Sequence, residues 1–254
     1  MHQRFIFPFI LILTVTILGN YSWYWLQNYN SGAPPYGEPE SAAPAENEAR
    51  AWWLDWERPA GPARVGIQIG HLDSKDHPEE LAKLRGNTGA NGGGYSEAEV
   101  NQAVALAMKQ ILEAEGILVD IIPATVQPDY WADVFIAIHA DGSEDLKTSG
   151  YKFAGPWRDL SKKGGKLVQM LNDSYGEATG LAFDPNISRN MRGYYAFAWW
   201  RYDHSIHPMT TAVIAETGFL TNPADRKIIV DQPELVAQTI SNVLIEHLKN
   251  EGLV

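Results

Sequence analysis

Two histidines and a glutamate lie where predicted strands end or a predicted helix begins. His71 follows the apolar run 65–70, His139 follows the apolar run 134–138, and Glu97 opens the first strong helical pattern between them. Two imidazoles and one carboxylate form a ligand set that suits a zinc ion with one coordination position left open. The chain has no cysteine, so any zinc site must use histidine and carboxylate ligands. The pattern predicts one bound Zn²⁺.

A second glutamate follows a third apolar run. Glu216 comes directly after residues 211–215 and is followed by Thr217, Gly218 and Phe219. A carboxylate at the end of a buried strand is costly unless it serves a site. Near an open zinc position, a carboxylate is the usual general base for metal-assisted hydrolysis. We therefore predict that Glu216 is catalytic.

Alternating strands and helices must position these residues. Short apolar runs predict strands, and apolar residues at helical spacing predict helices. The predicted strands are 65–69, 117–122, 134–138 and 211–215, and the predicted helices are 97–115, 160–179 and 233–248. This alternation predicts an α/β fold with a mixed, mostly parallel sheet flanked by helices. Chemistry in such sheets gathers outside the carboxyl ends of the strands, where the two histidines and Glu216 fall.

Two of the predicted ligands also have alternative explanations. Ser96 is a suitable helix cap, and Glu97 and Glu99 would favour the positive end of that helix without binding any metal. His77 lies in the polar insertion after His71 and is an alternative ligand. We prefer His71 because it directly follows a strand.

Composition limits the class of protein. The chain has 254 residues, 45% of them hydrophobic, and nine tryptophans, which predicts a packed core. The formal net charge of -11 argues against nucleic acid as a partner, because phosphate binding needs a basic face. The same charge disfavours adsorption to an anionic membrane surface.

The N-terminus predicts export. Residues 1–28 contain a long apolar stretch that begins after Arg4 and ends in an aromatic cluster. A bilayer crossing needs about 20 apolar residues, so this segment is predicted to be a transmembrane anchor, with a cleaved signal segment as the alternative. We expect a single-pass protein of the cell membrane with an extracytoplasmic catalytic domain, secreted if the segment is cleaved.

The remaining chain divides into a linker and one domain. Residues 29–60 are rich in proline, glycine, alanine and glutamate and are predicted to form a flexible linker. Trp52, Trp53 and Trp56 lie at its end, and either pack on the edge of the domain or form a carbohydrate- or membrane-contacting patch. Residues 61–254 are predicted to form a single catalytic domain.

Three segments carry a resemblance to a known family. Residues 96–101, 138–141 and 214–223 resemble zinc-dependent N-acetylmuramoyl-L-alanine amidases of the type-3 cell-wall class. The most specific segment is Glu-Thr-Gly-Phe-Leu-Thr-Asn-Pro from Glu216 to Pro223, and the resemblance spans residues 64–249. It implies that His71, Glu97 and His139 bind zinc and that Glu216 activates the metal-bound water. The substrate implied is peptidoglycan, cleaved between N-acetylmuramic acid and L-alanine by an enzyme expected to be monomeric.

The sequence departs from the family pattern in two places near the site. Leu72 and Asp73 stand where the family usually has two glycines, and a polar insertion follows to residue 94. Asp141 stands where the family usually has asparagine, which adds a carboxylate.

Other assignments stay open at this stage. The segment 190–208 is rich in aromatic and basic residues, which form either core aromatics or a groove for glycan and stem peptide. A metal pair formed by His204 and His207 is disfavoured by Pro208 and the loop setting. The alternative functions are a zinc carboxypeptidase acting on stem peptides and a catalytically silent wall-binding domain.

Overall fold

The computed structural model describes residues 55–254. Its strands are β1 Arg64–Ile69, β2 Asn91–Gly92, β3 Tyr95–Ser96, β4 Leu118–Ile122, β5 Val134–Asp141, β6 Lys152–Ala154 and β7 Thr211–Phe219. Its α-helices are α1 Glu97–Ala114, α2 Gly164–Thr179, α3 Arg189–Arg192, α4 Pro223–Ile229 and α5 Pro233–Asn250.

Five strands form the central sheet, in the order β4-β1-β5-β7-β6. β4, β1, β5 and β7 are mutually parallel, and β6 pairs antiparallel with β7 at one edge. The expected mixed, mostly parallel sheet flanked by helices is therefore confirmed. Because the parallel strands share one direction, their carboxyl ends meet at one edge of the sheet.

Strand β5 shows that the sheet is buried on both faces. Val134, Ile136 and Ile138 pack toward helices α1, α2 and α5, whereas Phe135 and Ala137 pack into a second cluster on the opposite face. That opposite face is covered by irregular chain that includes residues 191–206. A strand buried on both sides reads as a continuous apolar run, which is why 134–138 was recognisable in the sequence.

Helix α1 begins where its capping residues require. The Ser96 side chain accepts from the Glu99 N–H, and the Glu99 carboxylate accepts from the Ser96 N–H at 2.9 Å. This reciprocal capping fixes the first turn of the helix. Glu97 is therefore the first helical residue, and its side chain is buried.

Helix α2 begins later than its sequence pattern predicts. We expected a helix from residue 160, but the helix starts at Gly164. The Asp159 carboxylate accepts hydrogen bonds from the Lys162 and Gly164 backbone N–H groups at 3.1 and 2.9 Å. This local turn competes with helix and delays its start.

The predicted N-terminal segments fall largely outside the described residues. The anchor or signal segment 1–28 lies wholly outside them, and the linker 29–60 enters them only from residue 55. The end of that linker packs on the domain, because the Arg58 guanidinium donates to both Asp133 carboxylate oxygens at 2.6 and 2.8 Å. From residue 55 to residue 254, no helix has the length and apolar character that a membrane crossing requires.

Candidate metal centre and active site

The structure brings His71, Glu97 and His139 together. One ligand atom from each lies within 4.8 Å of the other two. His71 Nε2 is 3.4 Å from Glu97 Oε1, and His139 Nδ1 is 2.9 Å from the same oxygen. Adjacent ligands of a tetrahedral zinc, each about 2.1 Å from the metal, are separated by about 3.3 Å. The three side chains therefore converge at the spacing that a small divalent cation needs.

The tautomer of His71 supports a cation between these groups. His71 Nδ1 lies 2.8 Å from the Asn87 carbonyl oxygen, which can only accept a hydrogen bond. Nδ1 therefore carries a proton, and in the neutral ring Nε2 presents a lone pair to Glu97 Oε1, which is also an acceptor. Two acceptors facing each other repel unless a cation or a proton lies between them. The donor set thus fits a metal ion.

The insertion after His71 supplies contacts that orient two of these side chains. Besides Asn87, the Ala90 N–H donates to Glu97 Oε2 at 2.7 Å. Gly89 lies between these residues with a φ of +70°, and a Cβ there would come within 2.6 Å of the His71 ring and 2.8 Å of the Glu97 carboxyl carbon. Glycine is therefore required by both the backbone conformation and the close approach.

Glu97 is held as a carboxylate. Its Oε1 accepts from the Ala140 N–H at 3.1 Å, in addition to facing the two histidines. Burial alone would raise the pKa of this carboxyl, but the hydrogen bond of His139, the positive charge that His139 and His71 carry when protonated, and the Ala90 N–H lower it below its usual value. A charged carboxylate is the form that binds metal.

His139 extends from the end of β5 against a glycine. A Cβ on Gly70 would lie 2.6 Å from His139 Nδ1, so the side chain occupies space that only glycine leaves open. The Tyr194 ring packs edge-on against His139, with the centroids 5.6 Å apart. His139 Nε2 is buried and has no hydrogen-bond partner among residues 55–254. The ring is thus fixed in place with Nδ1 directed at Glu97 Oε1.

Glu216 lies beside His139 in the sheet register. The two residues pair across β5 and β7, and both follow the alternation of Phe135, Ala137 and Ile214 on the same face. Neighbouring strands lie about 4.8 Å apart, so the carboxylate is next to the metal-site histidine. Burial raises the pKa of Glu216 well above its usual value, the charges of Glu97 and Asp141 raise it further, and Lys152 acts against them.

The extra carboxylate at Asp141 is neutralised by an ion-pair network. Lys152 Nζ is 2.7 Å from Asp141 Oδ2 and 2.7 Å from Asp184 Oδ2. Lys152 also pairs with Glu216 in the antiparallel register of β6 and β7. This lysine is buried, and the sequence analysis did not single it out. A lone lysine four residues before Pro156 has no distinctive sequence signal.

Gln68 is a second residue that sequence reasoning missed. It is fully buried in β1, where its amide donates to the Ala124 carbonyl and the Tyr195 hydroxyl and accepts from the Tyr194 hydroxyl at 2.9 Å. This network fixes the tyrosine that packs on His139. The available signal was a polar residue inside an otherwise apolar strand.

Between residues 55 and 254, the other histidines lie outside the three-residue cluster. His77, the alternative ligand, has its Nδ1 2.8 Å from the Thr125 hydroxyl, and burial lowers its pKa. His204 Nδ1 is 2.7 Å from Glu80, and the His207 ring packs 5.1 Å from Trp56. The structure therefore places His71, and not His77, beside Glu97 and His139.

The segment 190–208 contributes buried aromatics to the core, as one of the two explanations of its composition predicted. Tyr195 and Phe197 are buried in the core, whereas Tyr194 faces His139. Arg192 stacks over Trp157 at 3.9 Å, and Arg158 stacks over Trp200 at 4.3 Å.

A family comparison decides the assignment. The family described as Amidase_3, N-acetylmuramoyl-L-alanine amidase, matches residues 65–246. The chain belongs to this amidase family. The amidase hydrolyses the amide bond between N-acetylmuramic acid and L-alanine in peptidoglycan. The match includes all of the three-residue cluster and Glu216. A search of curated proteins found no match.

Solved structures agree with the fold of the amidase. The catalytic domain of the N-acetylmuramoyl-L-alanine amidase CwlV from Bacillus (Paenibacillus) polymyxa var. colistinus has a TM-score of 0.52 at 22% identity, covering 74% of this chain and 98% of that one. Ami1 from Mycobacterium smegmatis has a TM-score of 0.53 at 16% identity, covering 74% and 97%. The CwlD amidase from Clostridioides difficile, solved with the GerS lipoprotein, has a TM-score of 0.51 at 18% identity, covering 74% and 98%.

Proposed function

We propose that the amidase is zinc dependent and that His71, Glu97 and His139 hold a single Zn²⁺. The observation that carries this proposal is the convergence of His71 Nε2 and His139 Nδ1 on one oxygen of a buried carboxylate. Nitrogen and oxygen donors in this number are typical of catalytic zinc, which keeps one position for water or substrate. When bound, zinc would polarise the scissile carbonyl and lower the pKa of its water to about 7.

Glu216 is the proposed general base and acid. Its position in register with His139 places a carboxylate beside the metal ligands, and no group within residues 55–254 hydrogen-bonds its Oε2. It takes a proton from the attacking water and returns that proton to the departing amine of L-alanine. Lys152, paired with Asp141 and Asp184, offsets the negative charge around Glu216.

The substrate would lie across the carboxyl edge of the sheet, on the side of Tyr194. Tyr194 is fixed by Gln68 and packs on His139, so it limits how the substrate approaches that histidine.

We further propose that the amidase acts outside the cytoplasm as a monomer tethered to the cell membrane. Support for the tether comes from the apolar segment within residues 1–28 and the proline-rich linker that follows it. The substrate also supports this location, because peptidoglycan lies outside the cytoplasmic membrane.

Digestion of purified sacculi tests the reaction. The zinc-loaded protein should release intact stem peptides that begin with a free L-alanine amino group, and a chelator should stop the release. Stems shortened at their carboxyl end would instead identify a carboxypeptidase. Binding to sacculi without any released product would identify a silent wall-binding domain.

A further inference from the structure

The Lys152 side chain forms an ion pair that crosses a strand of the central sheet. Lys152 belongs to β6 and Asp141 to β5, and β7 lies between these two strands. Lys152 Nζ is nevertheless 2.7 Å from Asp141 Oδ2. In the register of β7, Lys152 pairs with Glu216 and Asp141 pairs with Phe219. The ion pair therefore passes over β7 beside the proposed general base.

Two aspartates and an aromatic ring fix the ammonium group of this lysine. Besides Asp141, Lys152 Nζ is 2.7 Å from Asp184 Oδ2 and 5.2 Å from the centre of the Phe219 ring. Asp184 is itself held, because its Oδ1 accepts from the Asn186 backbone N–H at 3.0 Å and from the Asn186 side chain at 2.6 Å. Lys152 is only 5% exposed, so water competes little for its N–H groups. Two of the three N–H donors of the ammonium thus have carboxylate acceptors.

Glu216 lies next to this ammonium group but is not bonded to it. Its Oε2 is buried and accepts no hydrogen bond from any group among residues 55–254. Leaving a buried acceptor without a donor costs free energy, so Lys152 on the neighbouring strand is an obvious competing partner. A direct ion pair would draw the Glu216 carboxylate toward β6, whereas His139 lies on the other side of β7. The proposed mechanism needs that carboxylate free to take a proton from water.

We propose that Asp141 is a positioning residue, which holds Lys152 in its bridge over β7 and thereby keeps Glu216 free for the attacking water. The inference rests on the proposed function, in which Glu216 is the general base. Directly paired residues of antiparallel strands have Cβ atoms about 4.5–5.5 Å apart, so Lys152 can reach Glu216 once Asp141 no longer holds it. The carboxylate at position 141, a departure from the family pattern, is then the countercharge that a lysine at position 152 requires.

Kinetics of the full-length, zinc-loaded protein test this role. Turnover of a soluble N-acetylmuramoyl dipeptide is measured for Asp141→Ala and for the double variant Asp141→Ala/Lys152→Met. A general base contributes about 10²- to 10⁴-fold to a rate, so Asp141→Ala should lower kcat at least about tenfold, with KM within about threefold and zinc content unchanged. The double variant removes one negative and one positive charge together and also removes the competitor for Glu216. It should therefore regain at least about fivefold in kcat over Asp141→Ala.

Glu144 provides the matched control. It is an exposed carboxylate three residues after Asp141. Because surface substitutions usually change free energies by no more than about 0.5 kcal/mol, Glu144→Ala should keep kcat within about twofold of the wild type. The comparison separates the loss of a nearby charge from the loss of the bridge over β7.

Two results would overturn the proposal. One is a wild-type kcat in Asp141→Ala, and the other is a double variant that is no faster than Asp141→Ala, as expected if Asp141 were purely structural. If Asp141→Ala does not fold, Asp141→Ser takes its place with the same expected loss and recovery, because the serine hydroxyl is too short to hold Lys152. Glu216→Gln, measured alongside, separates this proposal from the proposed function. Near-normal turnover there refutes Glu216 as the base, whereas a large loss there with full activity in Asp141→Ala refutes only the role of Asp141.

Discussion

Replacing Gly89 with alanine should weaken metal binding without unfolding the domain. Gly89 has a φ of +70°, and a Cβ there would come within 2.6 Å of the His71 ring and 2.8 Å of the Glu97 carboxyl carbon. Two of the three proposed metal ligands would have to move. Groups that orient metal ligands typically contribute 10- to 100-fold to metal affinity, or about 1.4 to 2.7 kcal/mol.

The same segment provides a matched control. Gly86 has a φ of +72°, but a Cβ there would meet nothing within 4 Å. Gly86→Ala and Gly89→Ala therefore share a backbone cost of about 1–2 kcal/mol for an L-residue in the left-handed region. Only Gly89→Ala adds the collision with His71 and Glu97. The difference between the two variants isolates the effect on the metal site.

Competition with a chromogenic chelator measures the zinc affinity of both variants and the wild type. We expect Gly86→Ala to bind zinc within about threefold of the wild type and Gly89→Ala to bind 10- to 100-fold more weakly. Thermal unfolding of the metal-free proteins checks that both variants fold. Equal zinc affinity in the two variants would refute the argument that residues 87–90 orient the metal ligands.

Further substitutions test the other parts of the site. Glu216→Gln should retain zinc and lower kcat by about 10²- to 10⁴-fold, and near-normal turnover would remove Glu216 from the proton transfer. His139→Ala should lose zinc and activity together, so a metal content equal to that of the wild type would contradict its assignment as a ligand. Lys152→Met should lower the free energy of unfolding by about 3 kcal/mol in denaturant titrations, because it leaves two carboxylates without their partner. Burial would raise the pKa of Asp184, but Lys152 and Asn186 lower that pKa below its usual value. The ionised Asp184 carboxylate should therefore stabilise the fold above about pH 4, and this stabilisation should be lost as the pH falls further. Asp184→Asn should flatten that acid-side loss, and an unchanged pH profile of the unfolding free energy would count against this pairing.

The sequence predicted the strands that carry the site because they are buried on both faces. Continuous apolar runs such as 134–138 identified β5, but β5 and β7 continue past these runs to Asp141 and Phe219, so His139 and Glu216 lie two and three residues before the strand ends. The convergence of distant side chains followed from one rule of parallel sheets, that ligands bind outside the carboxyl ends of the strands. His71 and His139 could thus be chosen without knowing their distances, whereas Glu97, at the start of helix α1, was supported as a ligand by the resemblance to the amidase family.

The sequence patterns did not predict the long-range contacts around the site. The hydrogen bonds that Asn87 and Ala90 make to the metal-site side chains depend on how the insertion folds back, which no local pattern specifies. Lys152 lies in a strand of three residues, too short for a periodic signal. The late start of helix α2 came from a single carboxylate, Asp159, that competes for backbone N–H groups.

Anomalous diffraction at the zinc absorption edge, from crystals of the zinc-loaded protein, tests the central claim most directly. We predict one strong peak within about 2.3 Å of a side-chain atom from each of His71, Glu97 and His139. A peak bound by other residues, or zinc-loaded crystals with no peak at this position, would contradict the account.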